Sequence, residues 1–453
     1  MIAVIFLLIM LAIAIFAASQ GAAALPVGEI MMLVGLFLVF FGSGVYIAVV
    51  LGALALLSGF IFSDRPFWLF MGQVIWAPSS SFVLVAVPLF LLMGEILLRS
   101  GLSEQLYRAL NVWMRRWPGG LLHTNIAACA VFSAISGSSV ATAATMGSVA
   151  LPYFEKTAYN QRMVLGSLAA GGALGNLIPP GITFIVYGLM TETSVGKMYI
   201  AAIVPSILVC LLFFAVIFIH GLRLPSKEKP PSATLREKWQ SLVDLLPTSL
   251  LILIVLGTIY GGIATPTEAA ALGVVASIVF AFVARKLTFK LLNESAEATA
   301  RNTSMLGLIL FGAYMLNFIM TQLRVPQSLA EIVSTLPLPA WAIILVIIGF
   351  YLALGTFMEG FSMIITTIPV VFPVVKGLGY DPIWFGVIVT MLIEIAMISP
   401  PDGTVMYVLQ GMRRTPGPIT DVFSGVMPFV GVYMLAVLIL LLFPGLALVL
   451  VPH

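Results

Sequence analysis

The chain has 453 residues, of which 61% are hydrophobic and only 9% are charged, and its mean hydropathy is +1.14. Soluble domains carry about 25% charged residues, so this composition excludes a water-soluble protein and predicts one polytopic membrane body. The net charge of +3 is small and scattered, which argues against nucleic-acid binding. Two cysteines and three histidines, all far apart, argue against a disulfide framework and a catalytic zinc.

The first element in chain order is an apolar segment within residues 1–29. It has the length of a signal peptide, but no Lys or Arg precedes Arg65, so the basic n-region of a signal peptide is missing. We therefore predict an extra, retained transmembrane helix here, with a cleaved signal peptide as the alternative.

The rest of the chain contains an internal repeat. Features of the two copies recur at one constant spacing: Gly52 with Gly273, Pro152 with Pro373, Pro179-Pro180 with Pro400-Pro401, and Thr183 with Thr404. The copies are predicted to cover residues 30–222 and 247–453, and the proline-rich, charged segment 223–246 is the linker between them.

Each copy is predicted to contain a hairpin and a helix broken by its proline pair. The hairpins fall at 119–154 and 338–375, and the broken helices fall at 162–190 and 384–412. A crossing needs about 20 apolar residues, which gives each copy an odd number of crossings besides the hairpin. The second copy must then enter from the opposite side, so the sequence predicts an all-α inverted repeat.

The distribution of basic residues is an independent test of this inverted topology. With the linker placed in the cytoplasm, 21 lysines and arginines divide unequally between the two sides. Only Arg65, Lys197, Arg324 and Lys376 fall on the far side. This is the bias expected from the positive-inside rule.

The matched proline pairs predict a binding site in the middle of the bilayer. Unwound backbone survives in hydrocarbon only where protein, water or an ion satisfies its polar groups. One isolated proline is more simply a kink, whereas equivalent breaks in two inverted halves are typical of a transporter's substrate and ion site.

Both hairpin tips carry polar residues in otherwise apolar segments: SGSS at 136–139 and GTFMEGFS at 355–362. Small hydroxyl residues also hold membrane helices together, which is the alternative for any single serine. A glycine beside several hydroxyl and carbonyl oxygens, however, suits a hard cation such as sodium.

Five acidic residues fall at the expected membrane depth, where ionisable groups are functional candidates. They are Glu95, Glu268, Glu359, Glu394 and Asp402. Glu95 and Glu268 lie near helix ends and are expected to cap helices or pair at the interface. Glu359 and Asp402 lie at the two tips that face the second cleft and are the stronger candidates.

Two amphipathic segments, 101–117 and 325–336, follow the third crossing of each copy. They are predicted to lie in the membrane interface and to brace a moving hairpin domain, although a simple membrane anchor would show the same pattern.

Five segments carry a resemblance to a known family: SAISGSSVATAATMGSVALP (133–152), GALGNLIPPGITFIVYG (172–188), YGGIATPTEAAALG (260–273), LGTFMEGFSMIITTIPVVFP (354–373) and GYDPIWFG (379–386). With them, about residues 30 to 450 resemble the large membrane subunit of the TRAP (tripartite ATP-independent periplasmic) transporters. The chain departs from the family at Asp402, where an apolar residue is usual.

The resemblance implies an elevator-type, sodium-coupled importer of small organic acids in the bacterial inner membrane, and not an enzyme. It implies coupling sodium ions but no cofactor. The implied partners are a smaller four-helix membrane subunit and a soluble periplasmic substrate-binding protein. The extra helix within 1–29 is too short to be that fused subunit, so we expect the subunit on a separate chain.

The resemblance also implies positions for the ions and the substrate. The first sodium site is expected at Ser136, Gly137, Ser138, Ser139, Asn176, Pro179 and Gly181. The second is expected at Gly355, Glu359, Gly360, Ser399, Asp402 and Gly403. The substrate cleft is expected at Ser139, Thr142, Pro180, Ser362 and Pro401.

Two alternative functions remain at this point. A stand-alone ion-coupled anion transporter, without a binding protein, would have similar hairpins and breaks. A membrane enzyme acting on lipid-linked substrates would need clustered acids or histidines at a water interface, and the polar segment 223–246 offers no convincing cluster.

Overall fold

The computed structural model describes residues 35, 45–63, 66–154, 157, 159–223, 233–335, 337–356, 358–401, 403–413 and 415–452. The predicted N-terminal helix within 1–29 and the candidate residue Asp402 lie outside the described residues. Within the described part of the chain, every regular element is helical. The predicted all-α class is therefore confirmed.

Nineteen α-helices are described, in a first series of nine that begin before the predicted linker and a second series of ten that begin within it or after it. The first series is α1 Ile47–Phe62, α2 Met71–Ser79, α3 Ala86–Arg99, α4 Leu102–Met114, α5 Leu121–Ser136, α6 Ser139–Phe154, α7 Gln161–Gly172, α8 Ile182–Thr191 and α9 Val195–Arg223. The second series is α10 Leu235–Tyr260, α11 Pro266–Val283, α12 Phe289–Gln322, α13 Val325–Thr335, α14 Ala340–Leu354, α15 Gly360–Gly377, α16 Pro382–Met397, α17 Thr404–Met412, α18 Thr420–Leu442 and α19 Gly445–Leu448.

Seven helical segments of the described chain are long and apolar enough to cross a membrane. They are Phe82–Arg99, Val195–Arg223, Leu235–Tyr260, Pro266–Val283, Phe289–Gln322, Gly360–Gly377 and Thr420–Leu442. The helices of the hairpins and broken segments are mostly shorter, with α5, α8, α14 and α16 between 10 and 17 residues. Such short apolar helices reach only part of the way across a bilayer.

Helix α10 begins inside the segment that the sequence assigns to the linker. Thr234 Oγ1 accepts a hydrogen bond from the Glu237 amide at 3.2 Å, and Glu237 Oε2 accepts one from the Thr234 amide at 2.8 Å. This reciprocal capping box satisfies two amides that have no partner within the helix, and it starts α10 at Leu235. The helix then continues through Pro247 without a break, so a crossing helix begins inside the predicted linker 223–246.

Helices α1, α3, α10, α11 and α12 form one group. The repeat spacing makes α1 equivalent to α11 and α3 equivalent to α12, and in the structure α1 packs on α12 while α11 packs on α3. Helix α1 thus contacts the equivalent of α3, and α3 contacts the equivalent of α1. Such reciprocal contacts are expected when two copies are related by a pseudo-two-fold axis. Gly312 permits the first contact, since a Cβ there would lie 2.8 Å from the Ala48 carbonyl oxygen.

The hairpins and broken helices form a second group with α9 and α18, and they show the same exchange. Helix α6 of the first hairpin packs on α17, and α15 of the second hairpin packs on α8. Helix α7 packs on α18, and α16 packs on α9. The breaks lie inside this group, at residues 173–181 between α7 and α8 and at 398–403 between α16 and α17.

Helix α4 lies between the two groups, in contact with α10 on one side and with α5 and α6 on the other. Its buried face includes Leu102, Leu106 and Tyr107, and Trp113 near its end is 42% exposed. Trp113 Nε1 donates to Ser241 Oγ at 2.9 Å, and Arg115 pairs with Glu237 at 3.1 Å. The amphipathic helix α4 therefore packs against α10 and also has an outward-facing side. Its equivalent, α13, packs on α15.

Candidate cation and substrate site

The tip of the first hairpin is attached directly to the first broken helix. The Ile182 amide donates to the Gly137 carbonyl oxygen at 3.1 Å, so the start of α8 is hydrogen bonded to the hairpin tip. Gly137 has φ of 59°, and a Cβ there would lie 2.5 Å from the Pro180 carbonyl oxygen. Only glycine combines this left-handed backbone with such a close approach.

The unwound segment 173–181 folds around the start of α6. The side-chain Nδ2 of Asn176 donates to Ser139 Oγ at 2.9 Å, and the Asn176 amide lies 3.2 Å from the same oxygen. Gly175 lies against the backbone of Ser139, and Gly181 lies against the Asn176 backbone, so neither position has room for a Cβ. The two elements expected to form the first ion site are therefore in direct contact.

The polar atoms of this region are almost all buried. Ser136 Oγ and Thr142 Oγ1 are 2.7 Å apart and share one hydrogen bond, while Ser138 is partly exposed. Pro179, Pro180 and Gly181 are buried. Asn176 Oδ1 is buried and has no hydrogen-bond partner among the described residues. The region therefore contains an oxygen acceptor whose bonding capacity is not used by the protein.

Glu394 is the residue of this region that sequence reasoning did not assign. It was noted as an acid at membrane depth but given no role. Its side chain is 0% exposed, and both of its carboxylate oxygens lie 2.7 Å from Ser139 Oγ. The Asn176 amide also lies within hydrogen-bonding distance of its Oε1, at 3.2 Å. A glutamate of α16 thus contacts the first hairpin tip and the first break.

The tip of the second hairpin is organised by a glutamate. Glu359 Oε2 accepts from the amides of Phe361 at 3.1 Å and Ser362 at 3.2 Å, and this caps the N-terminus of α15. Gly355 and Gly360 lie against α16, where a Cβ on Gly360 would be 2.5 Å from Ile393 Cγ2. The second tip therefore packs on the first half of its own broken helix.

The second break is more open than the first. Ser399 Oγ donates to the Ile395 carbonyl at 2.7 Å, and the Gly403 amide donates to the Ser399 carbonyl at 3.1 Å. Pro401 is exposed and its carbonyl accepts from Tyr407 Oη at 2.9 Å. Among the described residues, no hydrogen bond joins 398–403 to the second tip, whereas the first tip and first break are hydrogen bonded. Both proline pairs, Pro179-Pro180 and Pro400-Pro401, have cis peptide bonds.

The residues expected to line the substrate cleft differ in accessibility. Ser139, Thr142 and Ser362 are at most 1% exposed, and Pro180 is also buried. Pro401 is the exposed member of the five. The assignment of these residues to the cleft stays a prediction.

Two of the acids at membrane depth have structural roles. Glu95 pairs with Arg99 at 3.2 Å, and the same arginine pairs with Glu294 at 2.9 Å. Glu268 forms a capping box with Thr265 at the start of α11. Both observations agree with the expectation that these acids cap helices or pair at the interface.

Within the described residues, two hairpins pack on two interrupted helices in an all-helical body with seven potential membrane spans. Paired broken helices of this kind are typical of transporter folds built from two repeats. The Alcanivorax borkumensis YdaH transporter has a similar fold, with a TM-score of 0.64 and 18% sequence identity over 92% of this chain and 100% of that one. Residues 33–446 match the family model of the tripartite ATP-independent periplasmic transporter, DctM component. The chain belongs to this family.

Curated relatives support the same family. The C4-dicarboxylate TRAP transporter large permease protein DctM of Pseudomonas aeruginosa is 35% identical over 373 residues, covering 82% of this chain and 87% of that protein. The sialic acid TRAP transporter large permease protein SiaM of Vibrio cholerae is 28% identical, covering 84% and 89%. The predicted family is thus confirmed, and the chain is a multi-pass permease subunit of the bacterial inner membrane and not an enzyme.

Proposed function

We propose that this permease imports a small organic acid by sodium coupling, with ions at the two tip-and-break sites. The observation that carries the proposal is the first site, where a hairpin tip and an unwound helix meet at buried oxygens. Asn176 Oδ1 has no partner there among the described residues, and Glu394 brings a carboxylate to the same place. Hard cations take carboxylate, carbonyl and hydroxyl oxygens as ligands.

The composition of the sites favours a monovalent ion. The described residues contain no group of three or more His, Cys, Asp or Glu side chains that could hold a metal ion. The proposed sites consist mainly of neutral hydroxyl, amide and carbonyl oxygens with at most two carboxylates, whereas tight divalent sites use more negative charge. Sodium at Ser136, Gly137, Ser138, Ser139, Asn176, Pro179 and Gly181, and at Gly355, Glu359, Gly360, Ser399, Asp402 and Gly403, fits this chemistry.

Sodium entry supplies enough free energy for accumulation. One charge moving through 100 mV contributes about 2.3 kcal/mol, so two sodium ions contribute about 4.6 kcal/mol. At about 1.4 kcal/mol per decade, this supports roughly three decades of accumulation before the sodium concentration gradient and the charge of the substrate are counted.

The arrangement of helices supports an elevator-type movement. The hairpins and broken helices pack mainly on one another and on α9 and α18, and they meet the group of α1, α3, α10, α11 and α12 at fewer places. Helix α4 contacts both groups, and α13 contacts α15. We propose that the hairpin group slides as a unit while α4 and α13 brace it.

The family supports two partners, a small four-helix membrane subunit and a periplasmic substrate-binding protein, which we propose for this chain. The two relatives are named for a C4-dicarboxylate and for sialic acid, both of which are organic acids. We therefore propose a carboxylate as the substrate, held between Ser139, Thr142, Pro180, Ser362 and Pro401 when the site opens.

The test is uptake into proteoliposomes that contain the permease with its small subunit. A candidate carboxylate and its binding protein are added to the external solution. We expect uptake to need an inward sodium gradient and the binding protein together. Uptake that is unchanged when potassium replaces sodium would contradict sodium coupling. Equal uptake without the binding protein would instead identify a stand-alone anion transporter.

A further inference from the structure

Glu394 occupies an unusual position, because it belongs to one copy and is bound by the other. It lies on α16, about one helical turn before Ile398, where the second break begins. Its partners, Ser139 and Asn176, belong to the first hairpin tip and the first break. The Glu394 carboxylate therefore connects α16, which leads into the proposed second site, with residues of the proposed first site.

The hydrogen bonds around Glu394 leave part of its acceptor capacity unused. Ser139 Oγ lies 2.7 Å from both carboxylate oxygens, but one hydroxyl has one proton and can donate to only one of them at a time. The Asn176 amide supplies the second donor. A carboxylate has about four lone-pair positions, so about two remain without a donor among the described residues.

The negative charge of Glu394 is also not matched by a cationic side chain. The ion pairs of the described residues involve Glu95, Glu104, Glu237, Glu294, Glu297 and Asp421, and none involves Glu394. Burying an ionised carboxylate without a compensating cation is strongly unfavourable. A side chain at 0% exposure in this position is therefore neutralised either by a proton on the carboxyl or by a cation that binds beside it.

A second acceptor at the same place lacks a partner. Asn176 is 2% exposed, its Nδ2 donates to Ser139 Oγ, and its Oδ1 has no hydrogen-bond partner in the described structure. Thr145 Oγ1 and Ser133 Oγ, on the two helices of the same hairpin, are likewise buried and unpartnered. Asn176 thus has an unused side-chain oxygen while its backbone amide contacts the Glu394 carboxylate, and such oxygens are the ligands that a hard cation takes.

We propose that Glu394 is the anionic component of the first cation site, contributed by the second copy. This inference rests on the sodium-coupled function proposed above and adds a residue to it. Sodium at the site neutralises Glu394 and binds the oxygens of Asn176 and the first tip, so it holds α16 of the second copy against the first tip and the first break. Occupancy of the first site thereby fixes the helix that begins the second site.

The test compares the sodium-induced rise in melting temperature of the purified permease complex for the wild type and for Glu394→Gln. Glutamine keeps the size and an acceptor oxygen but removes the charge. We expect Glu394→Gln to need at least about tenfold more sodium for the half-maximal rise, and to melt no lower than the wild type in sodium-free potassium buffer. Glu394→Asp, which keeps the charge on a shorter side chain, should retain a larger sodium response than glutamine does.

The controls distinguish failure of this inference from failure of the proposed function. If sodium does not stabilise the wild type relative to potassium, the sodium-coupled function itself is wrong. If sodium stabilises the wild type and Glu394→Gln equally, Glu394 is not part of the cation site. A Glu394→Gln protein that fails to fold, or melts lower without sodium, would show a purely structural hydrogen-bonding role and would also overturn the proposal. Thr390→Ala, one turn earlier on α16 with its hydroxyl bonded to its own helix, should respond as the wild type does.

Discussion

The Ile182 amide donates a hydrogen bond to the carbonyl oxygen of Gly137 at 3.1 Å, and this bond attaches a hairpin tip to the second half of a broken helix. The two residues come from segments that are separately too short or too interrupted to be stable across a bilayer. Each satisfies a backbone group that the other leaves without a partner, which is the condition for irregular backbone at membrane depth. The proposed first ion site therefore lies where the first hairpin tip and the first break satisfy each other's backbone groups.

The fit of Gly137 against Pro180 predicts that Gly137→Ala destabilises the permease by about 2–4 kcal/mol. Alanine at this position would have to adopt the left-handed conformation, which costs roughly 1 kcal/mol. Its Cβ would also overlap the Pro180 carbonyl oxygen. Gly101→Ala is the matched control, since Gly101 has φ of 77° but open space around it. Thermal melting in detergent should show a clearly larger loss for Gly137→Ala. Equal losses would show that the overlap relaxes without cost.

Ser138→Ala should abolish sodium-dependent uptake in proteoliposomes while the protein still assembles and melts normally. Ser138 is partly exposed at the tip and its hydroxyl accepts only a long 3.5 Å contact from the Ala141 amide, so removing the hydroxyl takes an ion ligand and little packing. Ser148→Ala lies on the same hairpin, is exposed, and has its hydroxyl bonded to the Thr145 carbonyl, so it should transport at the wild-type rate. At the second site, Asp402→Ala should also abolish uptake. Wild-type rates for Ser138→Ala and Asp402→Ala would refute the site assignment.

Substitutions of Glu359 should separate its two roles. Glu359→Ala removes the oxygen that accepts from the Phe361 and Ser362 amides, so it should cost about 1 kcal/mol of stability and speed hydrogen exchange at those amides. Glu359→Gln keeps a capping oxygen and should cost less than half of that, yet both variants should weaken the sodium dependence of uptake. Glu104→Ala, an acid more than half exposed in a 3.5 Å ion pair, should change neither measurement. Unchanged sodium dependence in Glu359→Gln would show that the charge of Glu359 plays no part in the second site.

Tyr107→Phe should destabilise the contact between α4 and the first hairpin. The Tyr107 hydroxyl donates to Asn125 Oδ1 at 2.7 Å, and Asn125 Nδ2 in turn donates to Ser167 Oγ at 2.9 Å. Removing the hydroxyl leaves a buried acceptor without a donor, which costs about 1–3 kcal/mol. Tyr153→Phe is the control, because the Tyr153 ring is partly exposed and its centroid lies 5.3 Å from that of Tyr107. Its free energy of unfolding should lie within about 0.5 kcal/mol of the wild-type value. A Tyr107→Phe protein as stable as this control would show that water replaces the missing hydroxyl.

The sequence by itself determined the class of the fold and the place of the irregular segments, and it predicted the repeat. These features are local: apolar segments long enough to cross a bilayer, proline pairs that a continuous helix does not tolerate, and glycine with serine at a tip. The proline pairs fall inside segments 173–181 and 398–403, which separate the helices of both broken segments. The start of α10 was placed too late, because a capping box at Thr234 and Glu237 extends a crossing helix into a segment whose composition is typical of a linker.

Only the tertiary structure decided which side chains meet. Nothing in the sequence around Glu394 distinguishes it from the other acids at membrane depth, and its partners Ser139 and Asn176 lie in the other copy. Such contacts depend on how two helical groups pack, which the local pattern of residues does not specify. The same is true of the helix exchange between copies, since equivalent helices have similar apolar faces and only close packing, as at Gly312 and Ala48, selects their partners.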